Sequence, residues 1–247
     1  MVKGLSVIGF DADDTLWQNE SFFRLTEERF AELLAEYGDG EDLRNRLLEA
    51  ERRNIGHYGF GIKGFMLSMI ETALDVTEGR VDGRVIGQIL TMGQEMLGHP
   101  IELLPHVEET LGALSGRYPL VLITKGDLLH QEQKLAASGL GDLFAAVEIV
   151  SEKHPSTYES AFSAHGSGPA QAMMVGNSMK SDIRPALDVG AFAVYVPHGQ
   201  TWALEQAETP LGHPRFHEMP DLGGLVDLIA EVEDLARITP KSPQTHP

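Results

Sequence analysis

Val7-Ile8-Gly9-Phe10-Asp11-Ala12-Asp13-Asp14-Thr15-Leu16 is a short apolar run that stops abruptly at a cluster of acids. Such a run reads as a buried strand whose end meets solvent. Comparable runs recur much later, at Leu120-Val121-Leu122-Ile123, Ala146-Val147-Glu148-Ile149-Val150, Met173-Met174-Val175 and Ala193-Val194-Tyr195-Val196. Between them lie helix-like stretches: 107–116 after Pro105, 128–139 ending at Gly139, 155–165 opening with Pro155, and 179–190 ending at Gly190. Strands alternating with helices of this length predict an α/β fold with a doubly wound parallel sheet. Ligands of such sheets sit at the carboxyl ends of the strands, so the residues just after each run are the ones to inspect.

Residues 17–100 follow a different pattern. Phe30, Leu33, Leu34 and Tyr37 fall at i, i+3, i+4 and i+7, with Gly38 as a stop signal. Residues 42–53 form a charged helical run with Leu43, Leu47 and Leu48 on one side, and 64–76 and 82–97 also read as helices. No strand-like alternation interrupts the block. The expected organisation is therefore a core of residues 1–16 and 101–238, an all-helical insert of residues 17–100, and a frayed tail at 239–247, where three prolines accompany little apolar surface.

The 247-residue chain carries 19 Lys and Arg against 37 Asp and Glu, a net charge of −18, with 42% hydrophobic and 23% charged residues. That is a globular composition. The acidity excludes a nucleic-acid binder, which needs clustered cations on phosphates, and an anionic membrane surface as partner. With no cysteine there is no disulfide, thiolate metal site or cysteine nucleophile. No stretch approaches the ~18 apolar residues of a membrane span, and the opening run is too short for a signal-peptide core, so a cytoplasmic protein is expected. Neither composition nor motif fixes its oligomeric state.

Asp11 and Asp13, at i and i+2 leaving a strand, can face one site. Their repulsion drives one toward holding a proton unless a cation binds, which suits a nucleophile or metal ligand beside a general acid/base. An isolated Asp-x-Asp is more often a solvated turn, but the other strand ends add to it. Thr124, Lys125 and Gly126 follow the second run, a hydroxyl and turn N–H groups able to cradle an oxyanion or phosphate. Lys153 follows the third. Gly176-Asn177-Ser178-Met179-Lys180-Ser181-Asp182 follows the fourth.

These four ordered motifs resemble those of the haloacid dehalogenase-like (HAD) hydrolase superfamily, over residues 1–20 and 100–200. The resemblance implies a Rossmann-like core, Asp11 as a nucleophile forming an aspartyl-phosphate, and Asp13 as acid/base. It further implies Thr124 on the transferring phosphoryl group, Lys153 balancing charge, and Mg²⁺ held by Asp11, the Asp13 carbonyl and the acidic fourth motif. The expected substrate is a small phosphorylated metabolite. The helical insert sits where the family places a substrate-selecting cap. Within it Asn54-Ile55-Gly56-His57-Tyr58-Gly59-Phe60-Gly61-Ile62-Lys63-Gly64 is Gly-rich, aromatic and locally basic, and is expected to be a loop reaching the cleft with His57, Tyr58 and Lys63 on substrate. Its Gly59-x-Gly61-x-x-Gly64 pattern lacks the preceding strand of a dinucleotide site.

One departure matters. The family's fourth motif commonly begins with Asp, and here Asn177 stands there, leaving Asp182 as the more important metal partner, directly or through water. An asparagine in this region also occurs in the family's metal-independent 2-haloacid dehalogenases, which usually carry tyrosine where this chain has Asp13. Asp13 thus favours a phosphatase over a dehalogenase. A catalytically weak binding protein and a phosphomutase remain as alternatives. The global charge does not forbid a phosphate substrate: Mg²⁺ and Lys153 together offset Asp11, Asp13 and Asp182.

Overall fold

The computed structural model describes residues 4–199 and 202–238; the expected tail at 239–247 lies outside the described residues. Among these, six strands form one sheet of order β3-β2-β1-β4-β5-β6: β1 (Val7–Phe10), β2 (Leu120–Lys125), β3 (Ala146–Val150), β4 (Ala172–Gly176), β5 (Phe192–Tyr195) and β6 (Phe216–Glu218). Every pairing is parallel, with Phe10 beside both Leu122 and Val175. The chain winds outward from β1 through β2 to β3, then returns across β1 to β4. This reversal places a crevice at the carboxyl end of β1.

Side chains alternate across the central strands as the pleat requires. Ile8, Phe10, Leu120, Leu122, Met173, Val175 and Val194 pack on one face against α5 (Val107–Ser115) and α9 (Leu225–Ile238). Val7, Val121, Ile123, Ala172, Met174 and Ala193 pack on the other against α7 (Pro155–His165) and α8 (Arg184–Asp188). A sheet covered on both faces explains why its strands read as continuous apolar runs. β6 has no such run in the sequence, being three half-buried or exposed edge residues. Gly9 is needed for close packing: a Cβ there would lie 3.1 Å from each of Ile123 Cδ1, Met174 Sδ and Phe162 Cε1.

The helical insert consists of α1 (Glu20–Leu33), α2 (Gly40–Tyr58), α3 (Ile62–Val76) and α4 (Gly83–Leu97) around their own core of Phe30, Leu34, Leu43, Leu47, Phe65, Met69 and Ile89. Two expectations need correction. α1 ends at Leu33, so Tyr37 lies beyond the helix and is exposed rather than part of an apolar stripe. The expected loop at 54–64 is helix as far as Tyr58, because Gly56 is accommodated in the helix and the chain first takes positive φ at Gly59 (73°) and Gly61 (109°). Only residues 59–61 form the connection.

Gly9→Val should therefore overpack the centre of the sheet. We expect a thermal midpoint lowered by roughly 5–10 °C, corresponding to about 2–3 kcal/mol, read by calorimetry.

Candidate active site

The turn after β1 is self-built. Ala12 O accepts from Thr15 and Leu16 N–H, Asp14 adopts φ 58°, and the fully buried Trp17 donates through Nε1 to Asp13 Oδ1 at 2.6 Å. The Asp14 carboxylate accepts from the N–H groups of Asn19 and Glu20 at 2.9 Å each, capping the start of α1. Asp14 is thus the turn-builder that fixes where Asp11 and Asp13 point. Trp17 is core, Gln18 bonds His198 at 3.0 Å, and Asn19 reaches the cleft.

The strand ends converge as expected. Asp11, Asp13, Thr124, Lys125, Gly126, Lys153, Asn177 and Asp182 all line one cleft. The buried Lys153 ammonium lies between two carboxylates, donating to Asp11 Oδ1 and, at 2.7 Å, to Asp182 Oδ1. Asp182 is fully buried; its other oxygen accepts the Ser178 N–H at 2.9 Å, and Tyr158 Oη donates to Oδ1 at 3.4 Å. Gly176 makes room for it, since a Cβ there would sit 2.3 Å from Asp182 Oδ2. Asp182 is therefore placed as the holder of Lys153. Asn177 Oδ1 instead faces the cleft, receiving the Thr15 hydroxyl at 3.3 Å.

Burial and repulsion from Asp182 raise the Asp11 pKa despite Lys153. Burial also works against the Lys153 charge, but the two aspartates outweigh it and its pKa rises. For Asp13, burial is outweighed by the Lys134 ammonium at 2.5 Å and by hydrogen bonds from Trp17 and Gln131, so its pKa falls. Gln131 Nε2 also donates to Thr124 Oγ1 at 2.6 Å, tying the acid/base candidate to the phosphate-binding candidate. Gln131 and Lys134 lie on α6 (Leu128–Ser138), at i and i+3 on the turn beside the strand ends. That spacing is a signal in the sequence, but only once α6 is known to start at the crevice.

Other expected residues are placed differently. Lys125 lines the cleft but is engaged by Glu205 (2.6 Å), Ser181 (2.8 Å) and Glu152 (3.3 Å), with its ammonium 3.9 Å from the Phe60 ring centroid. Glu205 also accepts from Ser178 at 2.5 Å; it follows β5 in a segment without any motif. The expectations for His57, Tyr58 and Lys63 are corrected. His57 and Tyr58 are exposed and do not line the cleft, because α2 continues through them and turns them outward. Lys63 pairs with both Asp127 oxygens at 2.9 Å, joining the insert to the core beside the cleft. Phe60 and Gly61 do reach the cleft.

The site suits a small divalent cation. Burial and Asp182 disfavour the charged form of Asp11, which a cation beside it would restore, and Asn177 Oδ1 adds a hard neutral oxygen at the same cleft. Among the described residues no group of three His, Asp or Glu side chains is arranged to hold a metal alone. Mixed donors, carboxylate with amide and backbone carbonyl, are thus the fitting set.

A parallel sheet with an acidic pair, a bridging lysine and a hydroxyl at one crevice defines a hydrolase of the haloacid dehalogenase-like kind. The family model for haloacid dehalogenase-like hydrolases matches residues 5–190, and the chain belongs to that family. A haloacid dehalogenase-like family hydrolase from Xanthomonas campestris is 40% identical, with a TM-score of 0.84 over 95% of this chain and 94% of that one. The glyceraldehyde 3-phosphate phosphatase of Pyrococcus furiosus is 25% identical over 90% of this chain and 92% of its own. The L-2-haloacid dehalogenase of Xanthobacter autotrophicus shares the fold, with 20% identity and a TM-score of 0.63 over 92% of this chain and 98% of that one.

The insert side of the cleft carries Glu20, Glu27 and Glu51. Burial, and then repulsion among neighbouring acids, pushes Glu20 and Glu51 up to about 8. A raised carboxyl pKa favours the folded state fully below the unfolded value of 4.5, and this contribution is lost as pH rises through about 8. Glu51→Gln should therefore raise the thermal midpoint by roughly 3–6 °C near pH 9 and by less than about 2 °C near pH 5, measured by calorimetry at both.

Proposed function

We propose that this enzyme hydrolyses a small phosphomonoester metabolite with Mg²⁺, through an aspartyl-phosphate on Asp11. The observation that carries the reading is Asp13, a second carboxylate lining the nucleophile's cleft and held there by Trp17, Gln131 and Lys134. A dehalogenase needs only the first carboxylate in that place. The relationship to a glyceraldehyde 3-phosphate phosphatase along most of both chains supports the same choice.

Asp11 attacks phosphorus, forming the Asp11 O–P bond as the ester O–P bond breaks. Asp13 gives its proton to the departing alkoxide, then takes one from the water that attacks the acyl-phosphate. Cleavage of the Asp11 O–P bond releases inorganic phosphate and restores both groups. In the free protein Asp13 is held as a carboxylate, the form that second step requires; an incoming phosphoryl dianion repels that charge and favours its protonation for the first. Lys153 fixes Asp11 and offsets charge near the equatorial oxygens, while Thr124 and the turn at Lys125-Gly126 offer donors to them. Asp11, the Asp13 carbonyl and Asn177 would hold the Mg²⁺, which when bound neutralises phosphoryl oxygens. Asp182 serves through Lys153. In this reading residues 17–100 are the cap over a core of residues 1–16 and 101–238, with Lys63–Asp127 as one contact between them.

Phosphate release from a panel of phosphorylated metabolites, with and without Mg²⁺, tests the reading. Activity should vanish in EDTA and return with Mg²⁺, and Asp11→Asn should lower kcat by about 10³-fold or more. Asp13→Asn should impair alkyl phosphates about 10–100-fold more than p-nitrophenyl phosphate, whose leaving group needs little protonation. Halide release from 2-haloacids without phosphate release would replace the phosphatase by the dehalogenase. A binding protein weakened by Asn177 would instead gain turnover in Asn177→Asp.

A further inference from the structure

We propose that the insert-side wall of the cleft recognises a cation, and that the substrate is a phosphomonoester of an alcohol carrying an ammonium or quaternary ammonium centre. The inference rests on the phosphatase reading for the phosphoryl end and supplies the chemistry of the other end.

Glu51, on α2, lines the cleft while only 8% exposed. Among the described residues no hydrogen bond or ion pair reaches its carboxylate; its electrostatic neighbours are Glu27 and Glu20, both repulsive. Glu20 and Glu27 line the same wall and are likewise without a side-chain hydrogen bond. Glu20 also faces Asp14 and Glu205, and Glu27 faces Glu28. The cations within range are Arg24, acting on Glu20 and Glu27, and Arg44, acting on Glu27; both are exposed, and neither forms an ion pair with these acids. Glu51 is thus largely buried, with carboxylate oxygens that open on the cleft and have no cationic partner there, and a positive group entering the cleft is the partner that would offset them.

Among the described residues the core side of the cleft supplies none. Lys153 is held by Asp11 and Asp182, Lys134 by Asp13, and Lys125 by Glu205 and Glu152. His130 is kept neutral by burial and by Lys134. The metal ion of the phosphatase reading is assigned to Asp11, the Asp13 carbonyl and Asn177, and a second metal ion at the wall would need hard oxygens converging on it. A diffuse organic cation needs no such convergence. It also suits the aromatic lining: Phe23 and Phe65, with ring centroids 5.0 Å apart, line the same cleft. Elsewhere in the cleft the Lys125 ammonium already rests on the face of Phe60. Raised pKa values at Glu20 and Glu51 have the same origin, and a bound cation would reverse them.

The test compares matched esters that differ only in charge: choline phosphate against 3,3-dimethylbutyl phosphate, and ethanolamine phosphate against propyl phosphate. The wild type should prefer the cationic member of at least one pair by about 30-fold in kcat/KM, chiefly through KM, and Glu51→Gln should reduce that preference at least about 10-fold. In parallel, choline and ethanolamine alone are titrated calorimetrically into both proteins, with binding expected in the wild type and lost in Glu51→Gln. Hydrolysis that favours the neutral esters, with no Glu51-dependent cation binding, overturns the inference and leaves the phosphatase standing. Glu51-dependent cation binding without hydrolysis of any ester upholds the cation wall and removes the phosphatase. Absence of both removes the inference, and it removes the phosphatase only when the metabolite panel above also releases no phosphate.

Discussion

The buried ammonium of Lys153, shared between Asp11 and Asp182, is the interaction on which the rest of the site depends. Lys153 follows β3, at the edge of the sheet, yet its charge must reach the ends of β1 and β4 across the end of β2. A lysine's four-carbon stem suits that span. Without the ammonium, two buried carboxylates would face each other unpaired, and one would have to take up a proton or turn away. The local sequence serves this arrangement: Gly176 leaves room for Asp182, Ser178 donates its N–H, and Tyr158 closes the remaining side. Such a group is a poor stabiliser. Its consequence is a nucleophile candidate held in one orientation.

The cleft has two electrically different walls. On the core side each lysine is matched to an acid, which positions Asp11 and Asp13 but leaves little free positive charge. On the insert side the carboxylates have no such partners. A net charge of −18 could have been surface solubility alone; here several of the acidic residues it counts line the cleft. Under the proposed reading, a molecule with a phosphoryl group at one end and a cation at the other would meet both walls, with a divalent ion balancing the first.

Much of this was legible because strand ends are legible. Asp11, Thr124, Lys153 and Asn177 each follow a run of apolar residues, and parallel sheets gather such positions on one edge. Gln131 and Lys134 are not legible in the same way, because their role depends on where α6 starts relative to the crevice, which residue spacing alone does not state. Glu51 lies in a charged helical run that reads as a solvated face; its burial comes from α2 packing over the cleft. His57 and Tyr58 misled for the opposite reason, since a glycine-rich aromatic segment suggests a loop while the helix runs on through Gly56. Glu205, from a segment without pattern, had no signal in the sequence.

The most direct test of the central claim is to incubate the Asp13→Asn protein with Mg²⁺ and p-nitrophenyl phosphate, quench in acid, and map the modified residue by peptide mass spectrometry. The account predicts one phosphoryl group on Asp11, accumulating because the residue that activates water for its release has been removed. Phosphate release with no adduct at Asp11, or a phosphoryl group on any other residue, would contradict it.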